Sequence, residues 1–393
     1  MSPQQPLRTA FIGLSSSGWA SIAHLPALRS ALGGEKFSIM ALLNSSVPAA
    51  GASIGHHNLP ASTRAYGSPE DLAADPDIDL VICNTRVDKH FETILPSVKA
   101  GKNVYVEWPI ASNTTDIDTL VAAARKSGSR VAVGLQNRWA PQVFKLEELL
   151  HGGKLGKVLS SDLRVIGGTD DREILVTKGK YFAQREIGGN VIVINFGHVL
   201  DFVLHVLGDL APGSVQSKGQ IQRPSVRVRD TSTNSIVETV TSDVPDLLSL
   251  HGTLTPSKII QEDATLSAFF RRGQAFPGDP PLAWSINCEF GEIRLLSTVG
   301  TALFSESNGE RVTIHVHHFD TDTVEEIPWE WEKEQEHVPT HAKSVLRCLA
   351  SFADAISEGK GSEGGDGWVG LEDAARRARQ IEKILSDGER KAQ

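Results

Sequence analysis

Three stretches of the chain hold residue types that can do chemistry. The first is Gly13-Leu14-Ser15-Ser16-Ser17-Gly18-Trp19. A turn of small residues between an apolar run and a helical pattern forms an anion site. Its backbone N–H groups and the helix dipole face a pyrophosphate. The spacing is not a clean G-x-G-x-x-G, because Ser15 holds the second glycine place. Serine still permits close approach and adds a hydroxyl. Gly13, Ser15, Ser17, Gly18 and Trp19 are therefore candidate cofactor contacts, with a plain tight turn as the alternative. The second stretch is Asn103–Pro109, N-V-Y-V-E-W-P. It runs from a β-branched and aromatic strand into a carboxylate, a large aromatic and a proline. In an open α/β sheet ligands bind just past the carboxyl ends of the strands, so Glu107 and Trp108 mark the floor or wall of a site. The third is K-G-K-Y-F at 178–182, with Arg185 nearby. Tyr181 there is a possible proton donor, and a solvated loop is the competing reading for Lys178, Lys180 and Arg185.

The residue that closes the second strand bears on the choice of cofactor. An acidic side chain at that place normally takes the ribose 2′-hydroxyl. Here the strand ends Leu43-Asn44-Ser45-Ser46. With no carboxylate to repel a 2′-phosphate, NADP is expected to bind at least as well as NAD. Asn44 acting only as a cap is the alternative.

The elements that must position these residues follow from the pattern. Short apolar strands are expected at 8–14, 37–44, 80–83, 104–107 and 130–134. They alternate with helical patterns from Trp19 to Leu28, at Ser68-Pro69-Glu70-Asp71-Leu72, at His90–Ala100 and at Asn113–Ser127. Ser68 is a plausible helix cap, with Pro69 at the first helical position. Such β-α-β alternation predicts a doubly wound parallel sheet, a Rossmann dinucleotide-binding domain over 7–136. After Gln136 the pattern changes. A helix at 142–151, a strand at 158–165 and an apolar segment at 191–207 lead into strand-like runs from Ser214 to Thr323. Several alternate with period 2, so one face is buried and the other is free to pair. Helices at 341–357 and 371–386 close the chain, separated by a Gly- and acid-rich linker at 358–367 that is expected to be mobile. The second domain is thus expected to be α+β over 137–393, with an open, largely antiparallel sheet and the terminal helix packing back near the seam. Trp329-Glu330-Trp331 reads as an edge or interface strand.

Composition sets outer limits. The 393 residues are 40% hydrophobic and 22% charged, as in ordinary globular proteins. A net charge of −9 argues against general affinity for nucleic acid or anionic membrane. Cys83, Cys288 and Cys348 are far apart and give neither a disulfide framework nor zinc spacing, which favours a reducing compartment. The polar start Met1–Arg8 lacks a secretory core, and no long apolar run is present, so a cytoplasmic location, with the nucleus possible, is expected. His56-His57 and His315/His317/His318 lack a full ligand set, and no metal is expected.

Further motifs fall in one order along the chain. They are His24-Leu25-Pro26, Asn84-Thr85-Arg86-Val87 with His90, V-Y-V-E-W-P, Gln136-Asn137-Arg138, the run Gly152–Val158, Gly188-Gly189-Asn190, and Gly197-His198-Val199-Leu200-Asp201. Together they resemble the glucose–fructose oxidoreductase/inositol dehydrogenase family over almost the whole chain. Within it, the Ser-rich loop ending Gly18-Trp19-Ala20, Leu43-Asn44, Glu107-Trp108 and Phe196-Gly197-His198 are similar to the fungal branch containing the yeast galactose-regulon repressor. The resemblance implies a Rossmann domain followed by an α+β domain whose sheet commonly joins two subunits, hence a dimer. It implies NAD or NADP as cofactor, with Asn84, Thr85, His90, Glu107, Trp108 and Asn137 joining the loop and Asn44 as contacts. His90, near the start of a helix, fits a structural cap as well. Arg138 suits either an anionic substrate or a carboxylate such as Glu107.

The chain departs from the family where protons are handled. Family dehydrogenases use the Lys of Glu-Lys-Pro and an Asp-x-x-x-His pair to take the proton that alcohol oxidation releases. Here Trp108 stands at the Lys position and Ile194 at the Asp position; the neighbouring Asn195 cannot act as a base, and His198 remains. A histidine ordinarily titrates near working pH, so His198 is the candidate acid or base, with a satisfied structural histidine as the alternative. Trp108 can stack on a ring. Three functions are compatible with this set: an oxidoreductase with an altered catalytic set acting on a small metabolite or sugar, a cofactor-binding regulator that grips a transcription factor, and a non-redox enzyme on the same fold. The regulator would need a local basic cleft, which Arg271-Arg272 and Arg223–Arg229 supply.

Overall fold

The computed structural model describes residues 5–298, 300–306, 311–361 and 367–390. Residues 362–366 of the 358–367 linker, expected to be mobile, lie outside them. The chain divides into two compact units: Met1–Trp139 with Glu332–Ala378, and Ala140–Trp331 with Arg379–Gln393.

In the first unit six parallel strands form one sheet. They are β1 (Leu7–Ile12), β2 (Phe37–Leu43), β3 (Arg64–Tyr66), β4 (Leu80–Cys83), β5 (Asn103–Glu107) and β6 (Val131–Gly134). Their order is β3-β2-β1-β4-β5-β6, so the chain reverses direction between β1 and β4 and opens a crevice at their carboxyl ends. Every residue of β4 and β6 is buried, which fits a sheet covered on both faces. The expected helix starts hold. Ser68 accepts the Asp71 N–H at 3.2 Å, and Asn113 accepts the Asp116 N–H at 2.9 Å. The helix Thr114–Ser127 ends on Gly128 at φ +74°, a left-handed conformation that suits glycine. The short helix Ala31–Lys36, β3 and the helix Val47–His56 lie outside the sequence expectation. The helix Val47–His56 carries Gly51 and Gly55, buries only Ala50 and shows no apolar stripe; it is started by Ser46, which accepts the Ala49 N–H at 3.2 Å. Its neighbour β3 is three residues long with no fully buried side chain. The helix Thr340–Ser357 belongs to this unit, and the Val133 N–H donates to the Val369 carbonyl at 3.0 Å.

The second unit begins with the helix Pro141–His151 and is built on a mixed, mostly antiparallel eight-stranded sheet. Its strands in chain order are β7 (Val158–Gly167), β8 (Ile174–Val176), β9 (Gln216–Gln220), β10 (Ser225–Arg229), β11 (Ile236–Thr241), β12 (Leu247–Thr253), β13 (Ile260–Arg272), β14 (Leu282–Cys288), β15 (Gly291–Ser297), β16 (Val312–His318) and β17 (Thr323–Glu326). The large sheet runs β17-β16-β15-β14-β7-β13-β12-β9, and β11-β10-β8 form a small one. β14 and β15 alternate strictly, placing Trp284, Ile286, Ile293 and Leu295 on the buried face. The helix Gly197–Leu207 packs there, with Phe202 5.8 Å from Trp284 and Phe196 5.7 Å from Phe270 between ring centroids. The opposite face is open, with Asp162, Arg164, Ser249, Ser267 and Phe269 lining a shallow hollow.

Trp329-Glu330-Trp331 is not a strand. Both indoles are buried and donate to backbone carbonyls, Trp329 to Val312 at 3.0 Å and Trp331 to Ser305 at 2.9 Å. Local pattern cannot distinguish such an anchor from an edge strand, because both place aromatics two residues apart. All three cysteines are buried thiols. Among the described residues no helix is long and apolar enough to cross a membrane.

Candidate functional site

The crevice of the first unit is assembled from the ends of β1, β2, β4, β5 and β6. At the end of β1, Gly13 has φ +86°, and a Cβ there would lie 2.7 Å from the Thr85 methyl and 3.0 Å from the Asn84 carbonyl. Only glycine lets the loop pass so close to the end of β4. Gly18 also has a positive φ, +112°, where the loop turns into its helix. Serine hydroxyls brace the loop: Ser15 donates to the Ser17 carbonyl, and Ser21 to the Ser15 carbonyl. After Gly18 the chain makes a π-turn over Ala20–His24 before the α-helix Leu25–Arg29. Extra residues of this kind in a helix commonly mark functional sites.

Asn44 turns inward. Its amide Nδ2 donates to Ser53 Oγ at 2.9 Å and to the Leu14 carbonyl at 3.3 Å, and Ser53 Oγ donates to the same carbonyl at 2.8 Å. The amide therefore holds the loop from behind. His57 reaches the loop too, with Nε2 2.8 Å from the Ser15 carbonyl. Sequence reading points to neither as a brace for the loop: Ser53 lies in the unexpected helix, and His57, its C-cap, is weighed there only with His56 as a metal ligand.

Glu107, at the end of β5, is 7% exposed and draws the loop's helix to the sheet. Its Oε1 lies 2.5 Å from His24 Nε2 and accepts the Trp19 indole N–H at 3.2 Å. Its other oxygen covers Gly134 at the end of β6, where a Cβ would lie 2.7 Å from Oε2 and 2.8 Å from the Tyr105 hydroxyl. Burial, together with Cys348 and Glu107, pushes the Tyr105 phenol well above its ordinary pKa, so it stays protonated. His24 is a further residue of this group that sequence reading does not single out: it lies in a quoted motif, five positions beyond Trp19, but nothing local shows that it reaches β5. Trp108, joined to Pro109 by a cis peptide bond, is 4% exposed beside this group.

His90 lies inside the helix Val87–Lys99 and is 1% exposed. Its ring nitrogens sit 2.8 Å from the Pro109 carbonyl and 3.0 Å from the Thr85 carbonyl, tying β4 to the chain after β5. Burial lowers its pKa despite those carbonyls. Arg138 does not pair with Glu107. Its guanidinium donates to Asp373 at 2.9 Å, within the same unit. The two candidates Asn84 and Asn137 lie at the ends of β4 and β6, with Gln136 beside the latter. Asn84 Nδ2 and Gln136 Oε1 are buried with no hydrogen-bond partner. An orphaned donor and an orphaned acceptor at one sheet edge fit a bound group with both kinds of polar atom. With the glycine-gated loop, they make this crevice fit a dinucleotide.

In the second unit Asn190 Oδ1 accepts the N–H groups of Ile192 and Val193 at 3.0 and 3.1 Å, starting a π-turn over Ile192–Phe196. His198 follows at the second position of the helix Gly197–Leu207 and is half-buried. Asn195 packs against Gly168, whose φ of +80° keeps that approach open, and its Oδ1 is buried without a hydrogen-bond partner. Tyr181 lies in a 3₁₀ turn, Thr177–Ala183, with its ring 4.7 Å from Phe182. This segment is not simply solvated: Leu175, Ala183 and Val226 form a small core beneath it, and Lys180 pairs with Glu238 at 2.6 Å. The clustered histidines of β16 pair with carboxylates, His317 with Asp322 at 2.9 Å and His318 with Glu325 at 3.2 Å. Among the described residues no group could hold a metal ion.

Residues 7–135 match the model of an oxidoreductase family with an NAD-binding Rossmann fold, and residues 141–297 match the C-terminal domain of Gal80p. The chain is 34% identical over 256 residues to dehydrogenase aclE of Aspergillus oryzae, covering 64% of this chain and 68% of that protein. It is 27% identical over 256 residues to the galactose/lactose metabolism regulatory protein GAL80 of Saccharomyces cerevisiae, covering 63% of this chain and 58% of that protein. The fold superposes on a super-repressor mutant of yeast Gal80p with a TM-score of 0.83 at 22% identity, covering 98% of this chain and 96% of that one.

Proposed function

Because this chain belongs to the glucose–fructose oxidoreductase/inositol dehydrogenase family, on the fungal branch that contains the yeast galactose-regulon repressor, we propose that it is an NAD(P)-dependent oxidoreductase of a small metabolite or sugar. The observation that carries this reading is the closure of Gly13 against Asn84 and Thr85, which leaves the loop its closest approach to a pyrophosphate. When bound, the nicotinamide supplies hydride transfer. Gly13, Ser15, Ser17, Gly18 and Trp19 hold the phosphates, Asn44 backs the loop, and Asn84, Thr85, His90, Glu107 and Asn137 frame the nicotinamide end. NADP is accepted at least as well as NAD, since Asn44 adds no negative charge.

Proton handling falls to few groups. Trp108 cannot take a proton and instead offers a flat wall for a ring. His198 exchanges the proton with the substrate oxygen, Asn195 orients it and Tyr181 is the auxiliary donor. The open sheet face pairs two copies into a dimer, and the protein works in the cytoplasm with access to the nucleus. Following nicotinamide absorbance through a panel of polyols, sugars and ketones tests this reading. Measured cofactor binding without turnover on any of them would count against it.

One feature favours a second reading. Trp108 and Ile194 replace two titratable groups that catalysis needs and a binder does not. A cofactor-binding regulator of a transcription factor would keep the crevice and lose the relay. Recovery of a cofactor-dependent transcription-factor complex, with no turnover, would favour it over the enzyme. A non-redox enzyme, for elimination or isomerisation, would instead convert substrate with no net change in nicotinamide absorbance.

A further inference from the structure

The carbonyls of the serine-rich loop are drawn back toward the helix Val47–His56. The Leu14 carbonyl accepts the Ser53 hydroxyl and the Asn44 amide, at 2.8 and 3.3 Å. The Ser15 carbonyl accepts the His57 Nε2–H at 2.8 Å and the Ser21 hydroxyl. Ser53 and His57 stand four residues apart, on one face of that helix and its cap. A trans peptide is planar, with its C=O and N–H on opposite sides. Because the Leu14 and Ser15 carbonyls face the helix, the N–H groups of Ser15 and Ser16 point away from it. Among the described residues nothing accepts either N–H.

His57 is fixed in place by the end of its helix. The Asn58 N–H donates to the Gly55 carbonyl at 3.1 Å and the Leu59 N–H to the Ile54 carbonyl at 3.0 Å, with Asn58 in the left-handed conformation at φ +50°. The Arg29 guanidinium donates to the His57 carbonyl. No negative charge faces the ring. His56 lies edge-on to it, 4.7 Å away between centroids, and Arg29 comes from the helix Leu25–Arg29. The helix packs on β2 and β3. The loop 13–18 and β2 carry no charged side chain, and Arg64 of β3 pairs with Asp75 and Asp77, at 3.0 and 3.1 Å. Among the described residues no carboxylate pairs with His56, His57 or Arg29.

Resting on the cofactor reading above, we propose that His57 is the positioning residue of the dinucleotide-binding loop, and that binding of the cofactor's pyrophosphate draws a proton from solvent onto its imidazole. The Nε2–H that holds the Ser15 carbonyl is present in one neutral tautomer and in the cation. Two negative phosphates in front of the Ser15 and Ser16 N–H groups favour the cation, and a charged donor makes the stronger bond. That bond in turn aims both N–H groups at the phosphates, so protonation and cofactor binding reinforce each other. An imidazole ordinarily changes charge between pH 5 and 8. The added affinity is therefore present at the acid end of that range and lost as pH rises through it.

The test is titration calorimetry of NAD and NADP against the full chain at pH 6, 7 and 8, in buffers of different ionisation enthalpy. A phosphate monoester titrates near pH 6, so any slope that the 2′-phosphate of NADP adds persists in His57→Gln and is subtracted. The wild type should bind about three- to tenfold more tightly at pH 6 than at pH 8, with net proton uptake at pH 7. His57→Ala should weaken binding about tenfold, the worth of one hydrogen bond. His57→Gln, whose amide reaches the same carbonyl, should restore the affinity at pH 8 and show neither the pH slope nor the proton uptake. Thermal unfolding without cofactor checks that each variant is folded. A His57→Ala affinity within about twofold of the wild type, a Gln variant that binds no better than Ala, or a Gln variant with the full slope and proton uptake would overturn the inference and leave the cofactor reading standing. Failure of the folded wild type to bind either dinucleotide would overturn both.

Discussion

The His24 imidazole meets the Glu107 carboxylate at 2.5 Å, both side chains buried, across 83 residues of chain. This contact fastens the helix that follows the serine-rich loop to the end of β5. It makes loop geometry depend on a strand two places away in the sheet. Removing one member of a buried pair leaves the other without a partner, so His24→Ala is expected to lower stability by about 3 kcal/mol. Cofactor affinity should fall with it, because the loop loses its tether. Urea unfolding and cofactor titration of the variant check both effects.

The same carboxylate explains why a glycine ends β6. Gly134→Ala places a methyl 2.7 Å from Glu107 Oε2 and 2.8 Å from the Tyr105 hydroxyl. Overpacking there is expected to cost about 1–3 kcal/mol. The denaturation midpoint should drop in Gly134→Ala and hold or rise in Gly51→Ala, a helical position with nothing within 4 Å of the added methyl.

Acid should weaken the first unit through His90. Its pKa in the folded protein is lowered by burial, whereas the unfolded chain titrates near the ordinary value of about 6.5. Below that value the unfolded state binds the extra proton, so stability falls as pH drops from 7 to 5 and is flat above. His90→Gln should reduce this slope. A variant with the full wild-type slope would place the titrating group elsewhere.

His198 is expected to carry the proton. His198→Gln should cut turnover by about 10²–10⁴-fold, the usual worth of a general acid or base, while cofactor affinity stays within about twofold. Equal loss of affinity and turnover would mark it as structural. Rapid-mixing kinetics with separate cofactor titration resolve the two.

Much of this was legible in the sequence, for physical reasons that also set its limits. Strands β1, β2, β4, β5 and β6 announce themselves because buried parallel strands are continuous apolar runs, and Ser68 and Asn113 cap helices through local bonds. The helix Val47–His56 does not, because it buries one alanine and has no stripe. The Glu107–His24 contact was invisible because it depends on strand order, not on spacing. Arg138 suits several partners by sequence alone, and the carboxylate it meets, Asp373, comes from a segment 235 residues away that returns to the first unit. Trp329 and Trp331 misled for the opposite reason: their alternation is real, but each indole is anchored to a loop or strand carbonyl.

The central claim is that the loop closed by Gly13 holds a nicotinamide dinucleotide. Titration calorimetry of NAD, NADH, NADP and NADPH against the wild-type chain and Gly13→Val tests it most directly. The account predicts saturable binding by the wild type, NADP forms at least as tight as NAD forms, and loss of binding in a variant that still unfolds cooperatively. Absence of binding to any of the four by the folded wild-type protein, or undiminished binding by Gly13→Val, would contradict it.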